Sequence, residues 1–153
     1  MDNLKHAKVI PLKEFGYAFF FEGCPPEVTS KIFAFSRESA LPIVLKTLGF
    51  RRNDNRSYNE EYFHEVSQCS FAQYPKNKSE MENWFRNLPL KSEDNIYIIY
   101  PFEWVLMTTW GNFVPEWDTF WEPFYRVDIY NDTFDKGMFL GPEEIGYYAE
   151  RNI

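Results

Sequence analysis

The sequence predicts an α+β fold with helices mainly in the N-terminal half and an antiparallel sheet mainly in the C-terminal half. Helical spacing and capping signals lie before residue 90, and β-rich alternating runs lie after residue 95. The two kinds of signal do not alternate along the chain, as βαβ units would require. Because 153 residues suit one core and no long linker interrupts them, we expect residues 1–153 to form a single globular domain.

The first predicted elements are short. Val9–Leu12 and Phe15–Phe21 are rich in residues that favour strands, so we expect two extended segments. Pro25 and Pro26 suit the first turn of a helix, where a missing N–H costs nothing. The apolar residues that follow have near-helical spacing and extend that prediction: Val28, Ile32, Phe33 and Phe35.

A second helix is predicted after Ser36 from apolar residues that share one face at i, i+4 and i+7 spacing. These residues are Ala40, Leu41, Val44, Leu45 and Leu48. Because Pro42 breaks a helix interior, we expect the helix to begin near Ser39 or Leu41, with the proline in its first turn. Gly49 suits the C′ position that ends it.

The middle of the chain is less regular. Residues 51–61 are polar and predict a loop, and residues 64–73 have an ambiguous pattern. Ser79 and Glu82 have the spacing of a capping box, and Pro89 follows the expected end of that helix. The apolar side of this helix is expected to hold Trp84, Phe85 and Leu88.

Strand patterns dominate after residue 95. The predicted strands are Ile96–Tyr100, Trp104–Trp110, Phe124–Tyr130 and Phe134–Leu140. A turn is expected at residues 131–133, and a bend or bulge at Gly137. Residues 112–120 predict a short helix with Phe113, Trp117 and Phe120 on one side, and residues 142–150 fit either a terminal helix or an extended tail.

The charge is unevenly distributed along the chain. Residues 92–153 carry twelve acids and three bases, whereas residues 1–91 carry eleven acids and thirteen bases, for a net charge of −7. Between residues 93 and 135, nine acids and thirteen aromatic rings accompany a single base, Arg126. Such a segment repels nucleic acid and anionic membranes and attracts basic proteins. Acidic surfaces also keep proteins in solution, which is the simpler interpretation of the same charge.

Catalytic and metal-binding patterns are lacking in the sequence. His6 and His64 lie in separate segments, no zinc or calcium pattern is complete, and we expect neither a metal nor another cofactor. No nucleophile elbow or phosphate-binding loop occurs. Cys24 and Cys69 form neither a CxxC pair nor a disulfide framework, so reduced thiols in a cytoplasmic protein are expected.

Three further features of the sequence do not indicate a functional site. The arginines of one loop, Arg51, Arg52 and Arg56, are too few for a nucleic-acid module, and a solvated loop explains them better. The N-terminus has no apolar run of signal-peptide length, and no segment is long enough to span a bilayer, which again predicts a cytoplasmic protein.

One stretch resembles a known family. Residues 108–113 (TTWGNF), followed by Trp117 and Phe120, are similar to a family of small uncharacterised bacterial proteins with a T-T-W-G-x-F-x-x-x-W-x-x-F pattern. The likeness covers about residues 95–141 and implies a compact bacterial cytoplasmic domain. By type, a small acidic, aromatic-rich chain without a catalytic motif also resembles the immunity proteins of bacterial toxin systems, including contact-dependent growth inhibition. That resemblance implies binding to a cognate toxin domain.

The leading functional hypothesis is therefore an immunity protein, not an enzyme, that binds a basic toxin domain such as a nuclease and covers its active or substrate-binding surface. Aromatic anchors and acidic groups are expected to form the binding surface. The candidate partner-binding residues are Glu116, Trp117, Asp118, Trp121, Glu122, Asp128, Asp132 and Asp135. An exposed Trp117 or Trp121 would be the anchor. The alternatives are a small hydrolase with a site assembled around His64, with a carboxylate or Cys69, and a regulatory binding module.

Overall fold

The computed structural model describes residues 8–16, 18–51, 58–101 and 104–153, and contains an eight-stranded antiparallel sheet. The strands are β1 (Val9–Ile10), β2 (Phe33–Phe35), β3 (Phe63–Ser70), β4 (Asn95–Tyr100), β5 (Trp104–Thr109), β6 (Val127–Asn131), β7 (Lys136–Leu140) and β8 (Ile145–Arg151). Their order across the sheet is β1-β2-β5-β4-β6-β7-β8-β3, so strands from the first half of the chain extend both edges of a sheet built from the second half. The predicted α+β class is confirmed.

Helices cover both faces of the sheet. The helices are α1 (Pro26–Thr29), α2 (Arg37–Thr47), α3 (Lys78–Arg86), α4 (Trp110–Phe113) and α5 (Trp117–Trp121). Helix α2 packs on the face that carries Tyr97 and Ile99, whereas α3, α4 and α5 pack on the face that carries Ile96 and Ile98. Because β4 alternates its side chains, one strand supplies both cores. Among the described residues, no helix has the length and apolar character needed to cross a membrane.

The N-terminal segment differs from the prediction. Residues 18–21 form a 3₁₀ turn, so the extended conformation expected for residues 15–21 is wrong in its described part, which excludes residue 17. Phe15 and Phe21 are buried at the two ends of this segment, where their rings contact Tyr100 and Phe120. Coiling of the chain lets both rings reach the core.

Helix α1 begins at the prolines as predicted but is only one turn long. The apolar residues after it form β2, which pairs with both β1 and β5, so their near-helical spacing was misleading. Pairing with two neighbouring strands satisfies the backbone groups of Ala34, which is completely buried.

Helix α2 exists as predicted, but its start and its buried face differ. Ser36 caps it by accepting a hydrogen bond from Ser39 N at 3.3 Å, so Pro42 lies in the helix interior. The side chains that face the core are Ala40, Ile43 and Thr47, whereas Leu41, Leu45 and Leu48 are 41%, 58% and 59% exposed. Small residues allow close approach to the sheet. A 3₁₀ turn follows, and Gly49 in it lacks the positive φ of a C′ glycine.

Helix α3 also confirms the predicted element but not its cap. Asn77 occupies the N-cap position, and Ser79 lies inside the first turn, so the capping box does not form. Phe85 and Leu88 are buried as expected, and Trp84 is half-buried with its indole N–H 2.8 Å from Ser67 Oγ.

The predicted C-terminal strands are present, although β6 and β7 begin later than expected, and the helix expected over residues 112–120 is divided into α4, a 3₁₀ turn at Val114–Glu116 and α5. Gly137 lies within regular β7 pairing and not at a bulge, and a Cβ there would lie 2.9 Å from the Phe139 ring, which requires glycine. Residues 145–151 form β8, which pairs with both β7 and β3. The ambiguous residues 64–73 supply most of β3, the outermost strand, which has a register shift between Glu65 and Ser67.

Candidate functional site

A surface pocket of about 530 Å³ lies where the end of α5 meets the β3–α3 and β7–β8 connections. It is lined by Tyr74, Trp121, Glu122, Tyr125, Pro142 and Glu144. Its size falls within the usual range of ligand pockets, and its lining combines three aromatic rings with two carboxylates.

The aromatic wall is fixed by ring packing. The Trp121 ring stands edge-on to Tyr74 and Tyr125, with centroid distances of 5.6 and 5.0 Å, and Phe71 contacts it from the core at 5.0 Å. Trp121 is only 4% exposed, whereas Tyr125 is 59% exposed. Edge-to-face packing of this kind is favourable for aromatic pairs, so a buried indole supports an exposed ring at the pocket rim.

Two carboxylates meet at the hydroxyl of Tyr74. That oxygen is 2.8 Å from Asp118 Oδ2 and 2.8 Å from Glu122 Oε1. Because a phenol has one proton, it donates to one carboxylate at a time. Burial raises the pKa of Tyr74 well above its ordinary value, and hydrogen bonding to Glu122 and Asp118 adds to this, so the hydroxyl stays protonated.

Lys78 distinguishes the two carboxylates. Its Nζ lies 3.2 Å from Asp118 Oδ1, whereas Glu122 has no cation within ion-pair distance among the described residues. Asp118 is buried beneath Tyr74 and is largely neutralised by this contact. Glu122 lines the pocket and therefore supplies much of its negative charge.

Unusual backbone geometry occurs at the pocket rim. Tyr125 has φ 53° and Glu144 has φ 59°, a left-handed conformation that costs non-glycine residues roughly 1–3 kcal/mol each. The Glu144 carbonyl accepts a hydrogen bond from Phe71 N at 2.7 Å, and its N–H donates to Gly141 O at 3.2 Å. These bonds hold Glu144 at the rim. One of them joins Glu144 to Phe71, the residue that packs against Trp121.

The structure places the predicted anchors in the core. Trp117 is completely buried and its indole N–H donates to Lys78 O at 3.3 Å, and Trp121 is nearly as buried. The expectation that one of them is an exposed anchor is therefore wrong. The reason is that α5 is a short helix whose rings pack against Phe71 and Phe85, which leaves Tyr125 as the exposed ring.

Asp128 is also in the wrong place for a surface contact. Its side chain faces the α2 side of the sheet, is 4% exposed and forms an ion pair with Arg51. Burial and the Asp128 carboxylate raise the pKa of the neighbouring Tyr130. This pairing also corrects the interpretation of Arg51 as part of a solvated loop, while Arg52 and Arg56 lie outside the described residues.

Three predicted acids lie elsewhere on the surface. Glu116 is half-buried beside Cys24, whose Sγ is 3.8 Å from Glu116 Oε2, and burial raises the pKa of that thiol. Asp132 and Asp135 are exposed in the predicted β6–β7 turn. Asp135 accepts hydrogen bonds from Thr133 Oγ1 and Asn131 Nδ2, each at 2.5 Å, and these bonds lower its pKa. None of the three lines the pocket.

The two side chains named for the alternative hydrolase site have hydrogen-bond partners other than each other: His64 with Asn152, and Cys69 with the Ser70 carbonyl. His64 is exposed on β3, and its Nδ1 is 2.9 Å from Asn152 Oδ1. Burial raises the pKa of the Cys69 thiol, which opposes its activation as a nucleophile. Within the described ranges, no three His, Cys, Asp or Glu side chains are close enough to hold a metal ion, and His6 lies outside those ranges.

The sequence analysis identified Trp121 and Glu122 but missed Tyr74, Tyr125 and Glu144. Tyr74, Tyr125 and Glu144 are at least about 19 residues apart in the sequence, and Tyr125 and Glu144 lie at irregular turns. No sequence periodicity therefore connects the three. The GPEE turn signal at residues 141–144 indicated a loop but not its position beside α5.

Comparison of the chain with protein-family models, with curated proteins and with solved structures gave no match. The resemblances noted from the sequence therefore stay predictions.

Proposed function

We propose that this chain is a cytoplasmic immunity protein that binds a cognate basic toxin domain, of the nuclease kind, and covers its active or substrate-binding surface. The observation that carries the proposal is the acidic, ring-lined pocket beside α5. Glu122 and Glu144 lie there next to the exposed ring of Tyr125. Carboxylates beside a rigid aromatic surface suit the lysine and arginine side chains that a nuclease uses to hold nucleic acid.

Charge asymmetry supports the same proposal. The segment that supplies α5 and the β7–β8 turn belongs to residues 92–153, which carry twelve acids and three bases. A surface of one sign speeds association with an oppositely charged protein and weakens with salt. Asp132 and Asp135 add exposed negative charge at the end of the β6–β7 hairpin opposite the pocket, from where they can attract the partner at long range.

The contact set differs from that of the sequence hypothesis. Trp117, Asp118, Trp121 and Asp128 act as internal supports, because each is buried. Glu122, Tyr125 and Glu144 are the proposed contact residues, with Glu116, Asp132 and Asp135 as secondary contacts. A regulatory module with a different basic partner would use the same surface, and the identity of the adjacent gene separates the two proposals.

The test is capture and rescue with the C-terminal domain encoded by the adjacent upstream gene. We expect wild-type protein to bind that domain tightly and to restore growth when both are expressed. The Glu122→Gln/Glu144→Gln double variant should bind more weakly, with a smaller dependence on salt.

A matched control removes the same amount of charge outside the pocket. The Glu38→Gln/Glu93→Gln variant changes two exposed acids to amides and should retain most of the affinity. Absence of both binding and rescue by wild-type protein would contradict the proposed function. Equal losses from the two double variants would show that general charge, and not the pocket, determines binding.

A further inference from the structure

We infer that the pocket beside α5 is a receptor for a single arginine side chain. The inference deepens the proposed function, on which it rests for the identity of the protein that supplies the arginine. The chemistry of the pocket stands independently, because it follows from the arrangement of rings, carboxylates and one unpaired indole N–H.

The rings provide a surface for a planar cation. Tyr125 is exposed at the rim, and its ring is held by an edge-to-face contact with Trp121 at 5.0 Å. A guanidinium group stacks on an aromatic face, attracted by the negative potential of the ring. Because Trp121 is itself packed on Phe71 and Tyr74, the surface is formed before the ligand arrives.

The carboxylates provide hydrogen-bond acceptors for the same cation. Glu122 and Glu144 line the pocket, and no lysine or arginine is among its lining residues. Lys78 pairs with Asp118, and among the described residues the Glu122 carboxylate has the neutral hydroxyl of Tyr74 as its hydrogen-bond partner. Arginine presents several N–H donors in one plane, whereas lysine offers a single charged group, so arginine uses two carboxylates and a ring better.

A buried polar atom points independently to a ligand. The Trp121 Nε1 atom is inaccessible to solvent and has no hydrogen-bond acceptor in the part of the chain that the structure describes. An indole N–H of this kind usually finds an acceptor when it is buried. Because Trp121 also lines the pocket, its indole N–H is a local reporter of a ligand bound there.

The direct test titrates the full-length protein with N-acetyl-arginine amide and follows the indole N–H signals by ¹H–¹⁵N NMR. The Trp121 signal is assigned with the Trp121→Phe variant. We expect a saturable shift of that signal, with a dissociation constant on the order of 1 mM, as suits a small cation in a preformed pocket. N-acetyl-citrulline amide has nearly the same shape without the charge and should bind about tenfold more weakly.

Variants separate the pocket from general electrostatics. Glu122→Gln should weaken arginine binding about tenfold, whereas Glu93→Gln, with the same loss of charge at an exposed acid outside the pocket, should leave it nearly unchanged. Tyr125→Ala removes the ring on which the guanidinium group stacks and should weaken binding severalfold. No saturable shift with the arginine compound, or equal binding of the citrulline compound, would overturn the inference.

The two proposals fail in distinguishable ways. If the toxin domain is captured but the arginine compound does not bind, the immunity proposal stands and the arginine receptor is wrong. If the arginine compound binds and the toxin domain is not captured, the receptor stands and its partner is a different arginine-bearing protein.

Discussion

Both faces of the sheet bury aromatic rings, but their helices contribute to the two cores in different ways. On the face covered by α3, α4 and α5, large rings such as Phe85, Trp117 and Phe120 are completely buried. On the other face, α2 buries only Ala40, Ile43 and Thr47 and exposes its leucines. The short helix α5 therefore contributes large rings to its core, whereas the longer helix α2, which has more leucines, contributes Ala40, Ile43 and Thr47.

The faces also treat buried charge differently. Asp128, on the α2 face, is ion-paired with Arg51 inside the protein. Asp118, on the other face, is linked through Tyr74 to Glu122 at a surface pocket. Asp128 is paired with Arg51 inside the protein, whereas Asp118 belongs to a hydrogen-bond network that reaches the surface. This difference is why we assign binding to the α5 side.

The largest expected effect is that of Trp117→Ala. A completely buried tryptophan that contacts Phe71 and Phe85 leaves a large cavity when truncated, so the free energy of unfolding should fall by about 3–5 kcal/mol. Urea unfolding followed by circular dichroism measures it. Trp104→Ala is the control, because Trp104 is only half-buried, and its loss should be clearly smaller. Equal losses would contradict the central role of α5.

Asp128→Ala should have the next largest effect. Removal of one partner leaves the Arg51 guanidinium, whose side chain is 20% exposed, without its carboxylate, at a cost of about 3 kcal/mol. The same measurement on Asp132→Ala should show a change within about 0.5 kcal/mol, because that acid is exposed. A loss below about 1 kcal/mol for Asp128→Ala would show that the ion pair contributes little.

Tyr74→Phe removes the hydroxyl between the two carboxylates and keeps the ring against Trp121. Hydrogen bonds to charged groups contribute about 1.5–3 kcal/mol, and this hydroxyl is shared between two carboxylates. We expect a destabilisation of about 2 kcal/mol at neutral pH, measured in urea. Tyr125→Phe, at the exposed ring, is the control. A stability equal to wild type would show that the bridge is not important for folding.

Asp135 should contribute to stability at neutral pH and lose that contribution in acid. Hydrogen bonds from Thr133 and then Asn131 lower its pKa from 3.8, so its folded form favours the carboxylate. Its contribution is therefore present above the unfolded pKa and is lost as the pH falls through the lower folded value. We expect the wild-type advantage over Asp135→Asn to shrink as the pH falls below about 4 in unfolding experiments. A pH-independent difference would contradict this assignment.

The smallest effect is expected for Leu45→Ala. Leu45 is 58% exposed, so its truncation should change the free energy of unfolding by less than about 0.5 kcal/mol. Ile43→Ala, two positions away and 3% exposed, should cost about 2–4 kcal/mol. A reversed order of these losses in urea unfolding would mean that α2 packs through its leucines, as its sequence pattern suggested.

Sequence reasoning predicted most strands because β4, β6 and β7 are rich in residues that favour strands, and both faces of these strands are buried. It failed at α2, where Leu41 and Ile43 are equally apolar and only the shape of the sheet decides which faces inward. It also failed at Phe33, because pairing with β5 overrides local spacing. The pocket depends on Tyr74 meeting α5, a contact between residues 44 apart that no local pattern encodes.

The placement of β8 determines the order in which the sheet can be completed during synthesis. β3 pairs with β8 alone among the described strands, and about 75 residues separate the end of one from the start of the other. At ordinary translation rates, β3 therefore waits on the order of 4–15 s for its neighbour. Five of its eight side chains are exposed in the finished protein, and most of these are polar. A strand of that composition can remain unpaired in water until the ribosome has synthesised β8.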